Sequence, residues 1–244
     1  MELGEIIKDA VTYPTSNLKA LLVYLLLGLL VGIIEVLTGI TGIATLDINF
    51  GAGIVLGIIG IVLIICILLL MLGFSTDVIK LGINRSSDAP EIDLARQISN
   101  GIKYIVVSIV YMVIPILIIV VLGYIFQYQI VIVLGVIVAV IFAFALTMAI
   151  CRLAKTEDLL DAVNVEQSIA DLRAIGVGKV VITMIVATIV GMIIVMALSF
   201  VLAILLNFAP DLTTAAVAIV SAILDAWLLF YENRVMGLLY SDIA

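Results

Sequence analysis

Residues 104–151 read YIVVSIVYMVIPILIIVVLGYIFQYQIVIVLGVIVAVIFAFALTMAIC, 48 residues without a charged side chain. A helix that crosses a bilayer needs about 20 apolar residues. The run is therefore too long for one crossing and fits two, with the polar Gln127-Tyr128-Gln129 as the turn between them. Two further stretches, 48–76 and 180–210, are also free of charge. Working outward, the pattern predicts six spans, at 18–37, 54–74, 105–126, 130–150, 180–206 and 214–231. The fifth is the longest and is expected to tilt or project. Segments such as Ile58-Ile59-Gly60-Ile61-Val62-Leu63-Ile64-Ile65 lack the alternation of a barrel strand. In lipid a helix also satisfies every backbone group internally. The fold class expected is all-α, a polytopic transmembrane helix bundle.

Composition agrees. Of the 244 residues 66% are apolar and 12% charged, with a mean hydropathy of +1.45. Soluble domains carry about 25% charged residues. The chain has 11 Lys and Arg against 18 Asp and Glu, a net charge of −7. No basic excess is available to hold phosphates, which argues against a nucleic-acid partner. The chain has no histidine and two cysteines, Cys66 and Cys151. That removes His-based nucleophile activation and His-ligated metals, and two thiols cannot form a Cys₄ centre or a disulfide framework. Both cysteines are expected to be packing residues, and no cofactor or metal is expected.

The basic residues set the orientation. Lys8 and Lys19 precede the first span. Lys80, Arg85, Arg96 and Lys103 lie between the second and third. Arg152, Lys155, Arg173 and Lys179 lie between the fourth and fifth, and Arg234 follows the sixth. All fall on one side, whereas the opposite loops hold Asp47 and Asp211. Both termini are expected to be cytoplasmic and the location the plasma membrane. The opening 17 residues are amphipathic, so the first span is expected to insert uncleaved.

Three segments on the cytoplasmic side, 2–13, 91–102 and 157–175, are amphipathic. Ile6, Ile7, Ala10 and Val11 oppose Glu5, Lys8 and Asp9. Ile92, Ala95, Ile98 and Ile102 oppose Asp93, Arg96, Gln97 and Asn100. Val165, Ile169 and Leu172 oppose Glu166, Asp171 and Arg173. Each is expected to be an interfacial helix. Each is followed by a break and a lysine: Pro14-Thr15-Ser16-Asn17 before Lys19, Ser99-Asn100-Gly101 before Lys103, and Gly176-Val177-Gly178 before Lys179. The chain thus reads as a single domain of three helical-hairpin repeats, 1–83, 84–156 and 157–244, related about an axis normal to the bilayer. The alternative is plain N-in alternation, which explains the lysines but not the helix-and-break before each. Small residues four apart, Gly28/Gly32, Gly53/Gly57, Ala139/Ala143, Ala145/Ala149 and Ala187/Gly191, predict close helix approach. Pro115 predicts a kink in the third span.

The opening Gly4-Glu5-Ile6-Ile7-Lys8-Asp9-Ala10-Val11-Thr12-Tyr13-Pro14-Thr15-Ser16-Asn17 resembles the start of an archaeal membrane-protein family, domain of unknown function 4013. The loop Gly82-Ile83-Asn84-Arg85-Ser86-Ser87-Asp88-Ala89-Pro90-Glu91-Ile92-Asp93 is similar too. So are the Tyr111…Ile114-Pro115 element and the closing Arg234-Val235-Met236-Gly237-Leu238-Leu239-Tyr240. The resemblance implies an archaeal multi-pass membrane protein. It implies no activity and carries over no site residue.

Three function classes follow. A non-enzymatic scaffold or accessory subunit ranks first, because it needs only packing faces and docking helices. Its partners would be the lipid bilayer, a membrane or cytoplasmic protein held by the interfacial helices, and in a homo-oligomer a second copy. A small transporter is the alternative, because such proteins carry polar residues at membrane depth. Asp225, Glu35 and Ser221 are the candidates. Asp225 lies 11 residues after Thr214 and shares a helix face with Ser221 and Glu232, whereas Arg234 points away. It is expected to face the bundle interior, held by a proton or by a hydrogen bond to a neighbouring span. An enzyme is not expected. Asp77, Asp88, Asp93, Asp158 and Asp161 are the acids with Mg²⁺-ligand chemistry, and no basic cluster for a phosphate stands beside them.

Overall fold

The structure, a computed structural model, describes the backbone of residues 1–48, 50–126, 128–206 and 213–244. Side chains are described within those ranges except at 35–36, 39–48, 50, 202, 205–206 and 213–222. The regular structure of the described residues is helical throughout: α1 (Leu3–Ser16), α2 (Leu18–Ile48), α3 (Phe50–Ile83), α4 (Leu94–Ile125), α5 (Tyr128–Thr156), α6 (Leu159–Ala162), α7 (Val165–Ile175), α8 (Val177–Leu206) and α9 (Thr213–Tyr240).

Among the described residues, four stretches are long and apolar enough to cross a membrane: Gly51–Ile83, Leu94–Ile125, Tyr128–Thr156 and Val177–Val201. A fifth candidate joins α1 to Leu18–Ile34 of α2 across a bend of 74°. Much of the sixth expected span, and Asp47 and Asp211, expected in the loops opposite the bases, lie outside the described side chains. The expected turn falls between Ile125 and Tyr128, and Gln127 itself lies outside the described residues.

Local chemistry explains the helix ends. Asn17 stops α1 and its side-chain amide donates to the Tyr13 carbonyl, which forces the bend into α2. Asp93 caps α4 by accepting from the backbone N–H of Arg96. Asn164 does the same for α7 through Gln167. Gly176 ends α7 at φ 98°, a conformation that suits glycine.

Six long helices, α2, α3, α4, α5, α8 and α9, form the bundle among the described residues. α3, α5 and α9 pack on one another, and α2, α4 and α8 pack outside them. α2 packs on both α3 and α9, and α4 on both α3 and α5. α8 packs on α9 and α7. The amphipathic pieces cover one end: α1 lies on α9 and α7 on α5.

The middle segment departs from expectation. Residues 94–102 are not a separate interfacial helix, because α4 runs unbroken through Ser99-Asn100-Gly101. Its polar Gln97 and Asn100 are buried, whereas Ile92, Leu94 and Ile102 are exposed. The reason is glycine. A Cβ on Gly73 would sit 1.9 Å from the Gln97 carbonyl oxygen, and one on Gly101 would sit 2.1 Å from that of Leu69. The α3 and α4 backbones therefore touch, and on the touching face Gln97 donates across to Asp77. Gly82 and Gly237 bring α3 and α9 together likewise. Of the small pairs expected from sequence, Ala145, Ala149 and Ala187 are buried. By contrast, Gly28 meets only Met71 at van der Waals distance, and Gly32 and Gly57 face open space.

The residues 157–175 form two helices, α6 and α7, rather than one. Pro115 is buried inside α4, and the helix continues through it. Tyr13, Tyr24, Phe74 and Phe230 form an aromatic cluster that joins α1, α2, α3 and α9, with ring centroids 5.7–6.4 Å apart. The outward faces expose aliphatic side chains such as Ile58, Ile116, Val133 and Ile193. Patches of this extent mark surface that another apolar phase covers.

Candidate functional site

A collar of guanidinium–carboxylate pairs gathers at one end of the bundle. Arg234, near the end of α9, is 1% exposed. Its Nε donates to Asp9 Oδ1 at 2.6 Å and its Nη2 to Asp9 Oδ2 at 3.2 Å. Its Nη1 donates to the Ser86 carbonyl at 2.6 Å, and its Cζ lies 4.3 Å from the Tyr13 ring centroid. One arginine thus joins α1, α9 and the 84–93 loop. The same loop receives the Tyr13 hydroxyl, which donates to the Asp88 carbonyl at 2.9 Å. Burial pushes the Tyr13 phenol up to about 12, against the opposing pull of Arg234.

Arg96 of α4 donates to Asp77 of α3 at 2.6 and 3.1 Å. Gln97 donates to Asp77 Oδ2 and to the Glu91 carbonyl, each at 3.0 Å. Glu157, just past α5, takes Lys80 at 2.6 Å on its carboxylate and Lys103 at 2.7 Å on its carbonyl. The Lys80 hydrogen bond holds its carboxyl below the usual range, against the effect of burial. Arg152 of α5 reaches Asp171 of α7 at 2.8 Å and also bonds the Asp161 carboxylate. Tyr240 donates to the same Asp171 oxygen at 2.7 Å. Tyr111 donates to Ser168 at 2.7 Å behind this pair. Asp242 accepts from Lys179 and from the N-terminal amine, each at 2.6 Å. Burial alone would raise its carboxyl, and these two bonds hold it below its usual range.

A cavity of about 450 Å³ opens in the collar between Asp77, Lys80, Asn84, Asp88, Arg96 and Glu157. Most of its charges are engaged with one another, so the arrangement binds helices to helices. Of the aspartates with Mg²⁺-ligand chemistry, Asp77 and Asp88 line this cavity, where Asp77 faces Arg96 and Asp88 accepts from the Ser86 hydroxyl; Asp161 faces Arg152, and Asp93 and Asp158 cap helices. Among the described residues no three metal-ligating side chains converge.

The intramembrane candidates fall elsewhere. Glu35 and Ser221 lie in α2 and α9 with side chains outside the described residues. Asp225 is exposed between the buried Leu224 and Ala226, not turned into the bundle interior as expected. The interior face of α9 is set by Phe230, Arg234 and Leu238, and Asp225 shares its exposed stripe with Glu232. It lines a cavity of about 320 Å³ with Tyr24, Leu25, Gly28, Met71 and Leu229. Cys151 is buried and Cys66 exposed.

The amphipathic patterns of the sequence did not pair the collar residues with one another. One signal was available: Asp77 and Arg96, and Arg152 and Asp171, are each 19 residues apart with opposite charge.

No curated protein and no solved structure matches the chain. A protein family does match, over residues 56–207, a stretch that contains the Asp77–Arg96 and Arg152–Asp171 pairs. With more than half its length matched, the chain belongs to the family described as "Protein of unknown function (DUF4013)".

Proposed function

We propose that this protein is a six-span plasma-membrane protein that acts as a non-enzymatic scaffold or accessory subunit, with its collar and both termini in the cytoplasm. The observation that carries the reading is the collar. Three guanidinium–carboxylate pairs tie α1 to α9, α3 to α4 and α5 to α7, and so hold the helix ends as one plate. Rigid presentation of a polar face beside an apolar belt is what a docking subunit requires. The position of all 11 Lys and Arg on one side supports the orientation. The likeness of the opening segment supports an archaeal source.

The three-repeat organisation, 1–83, 84–156 and 157–244, belongs to the same proposal. Each amphipathic segment pairs with the outgoing helix of the preceding hairpin, and α1 closes the cycle on α9. A photo-crosslinking residue at the exposed positions Glu166 or Arg173 should capture one discrete partner, and one at Tyr124 should not. Absence of a partner from every collar position sinks the scaffold reading. Cysteine labelling from each side of the membrane tests the six spans.

A second reading, a small transporter using Asp225, is favoured by the cavity beside that residue. Liposomes holding the purified chain should then pass a solute that Asp225→Asn liposomes do not.

A further inference from the structure

We infer that the seam between α2 and α9 binds a membrane-dissolved amphiphile with a protonated amine head, seated on Asp225, and a single alkyl tail. The cavity that Asp225 lines adjoins a second of about 340 Å³, and Leu25 and Ala226 wall both. The second is wholly aliphatic: Leu18, Leu21, Leu22 and Ile223 complete it. Both volumes fall in the range of about 300–1,000 Å³ that small-molecule sites occupy. The seam therefore offers one acid at one end and hydrocarbon at the other, the complement of a cationic amphiphile.

The charge of the head follows from Asp225. Among the described residues it has no hydrogen-bond or ion-pair partner, and it lies about 13 Å along α9 from Arg234, which is itself engaged with Asp9. A carboxylate is an acceptor only, and an ammonium brings three donors and the opposite charge. Such a bond is roughly twice as strong as a neutral one, and the proposed placement in lipid would strengthen it further. Tyr24, on the same wall, adds an aromatic ring for cation–π attraction. Access is lateral, because Leu18, Leu22 and Ile223 are exposed along the seam. The tail is expected to enter from the bilayer.

The inference rests on the six-span placement, which puts α2 and α9 in lipid. The test uses the full chain in phosphatidylcholine nanodiscs, titrated calorimetrically with dodecylamine, dodecanol and dodecanoate against empty nanodiscs. Dodecylamine should bind saturably, one per chain, about tenfold more tightly than dodecanol, with dodecanoate weakest. Asp225→Asn should bring dodecylamine down to the dodecanol level. Gly28→Leu, which fills the cavity where only Met71 approaches the site of a Cβ, should abolish both. Equal affinity for amine and alcohol, or an amine preference that survives Asp225→Asn, overturns the inference. Ile223→Cys labelling runs in parallel. Reaction with a water-soluble maleimide overturns the placement and the inference with it. Protection combined with unselective binding overturns the inference alone.

Discussion

Replacing Asp9 by Ala isolates what the collar contributes. Asp9 is 39% exposed, whereas Arg234 is 1% exposed. Removing the acid therefore strands a buried guanidinium, whereas removing the arginine leaves a carboxylate that water can reach. Breaking a buried pair from one side costs about 3–5 kcal/mol, most of it the uncompensated charge. Arg234 keeps its bond to the Ser86 carbonyl and its place over Tyr13. The expected loss for Asp9→Ala is thus at the low end, about 3 kcal/mol. The double variant Asp9→Ala/Arg234→Met removes the stranded charge and should regain about 2 kcal/mol of that, a coupling within the usual range for touching groups. SDS titration of the chain in bicelles, followed by the fluorescence of Trp227, the sole tryptophan, reads both values. Trp227 suits the purpose because it stacks on Tyr231 in α9 at 5.3 Å. If Asp9→Ala unfolds with the parent, or the double variant is weaker than Asp9→Ala alone, the collar does not hold the bundle as argued.

Other outcomes follow from single contacts. Gly73→Ala should destabilise by about 1–3 kcal/mol, because its Cβ would meet the Gln97 backbone, whereas Gly32→Ala should be neutral or slightly stabilising; the same SDS titration compares them. Glu157 and Asp242 both have carboxyls held below their usual values. A lowered folded-state pKa means that their stabilisation is present above the ordinary values of 4.5 and 3.8 and is lost as pH falls further. Glu157→Gln should therefore flatten part of the acid limb of stability against pH, and an unchanged limb would contradict the pairing with Lys80. Tyr111→Phe should cost about 1–2 kcal/mol, because it leaves the buried Ser168 hydroxyl without the Tyr111 partner, and Ser168→Ala should then add little to it.

Much of the outline was legible from residues alone. The charge-free run 104–151 divides into α4 and α5 where the polar residues interrupt it, because lipid-spanning length and backbone satisfaction depend on local composition. The breaks at Pro14–Asn17 and Gly176–Gly178 end helices for equally local reasons, an Asn cap and a left-handed glycine. The break expected at Ser99–Gly101 failed because Gly101 serves contact with α3, not termination of α4. A glycine that stops a helix and one that lets a neighbour approach look the same in sequence.

The sequence by itself determined what is summed along the chain: a helical protein, its apolar segments and its charge-free runs. Only the tertiary structure decided which charges meet. Asp9 and Arg234 are 225 residues apart, and no local pattern links them. It also decided that Gln97 and Asn100 turn inward while Asp225 turns out. A helix periodicity says which residues share a face, but only the neighbouring helices, brought close by Gly73, Gly82, Gly101 and Gly237, determine whether that face is covered.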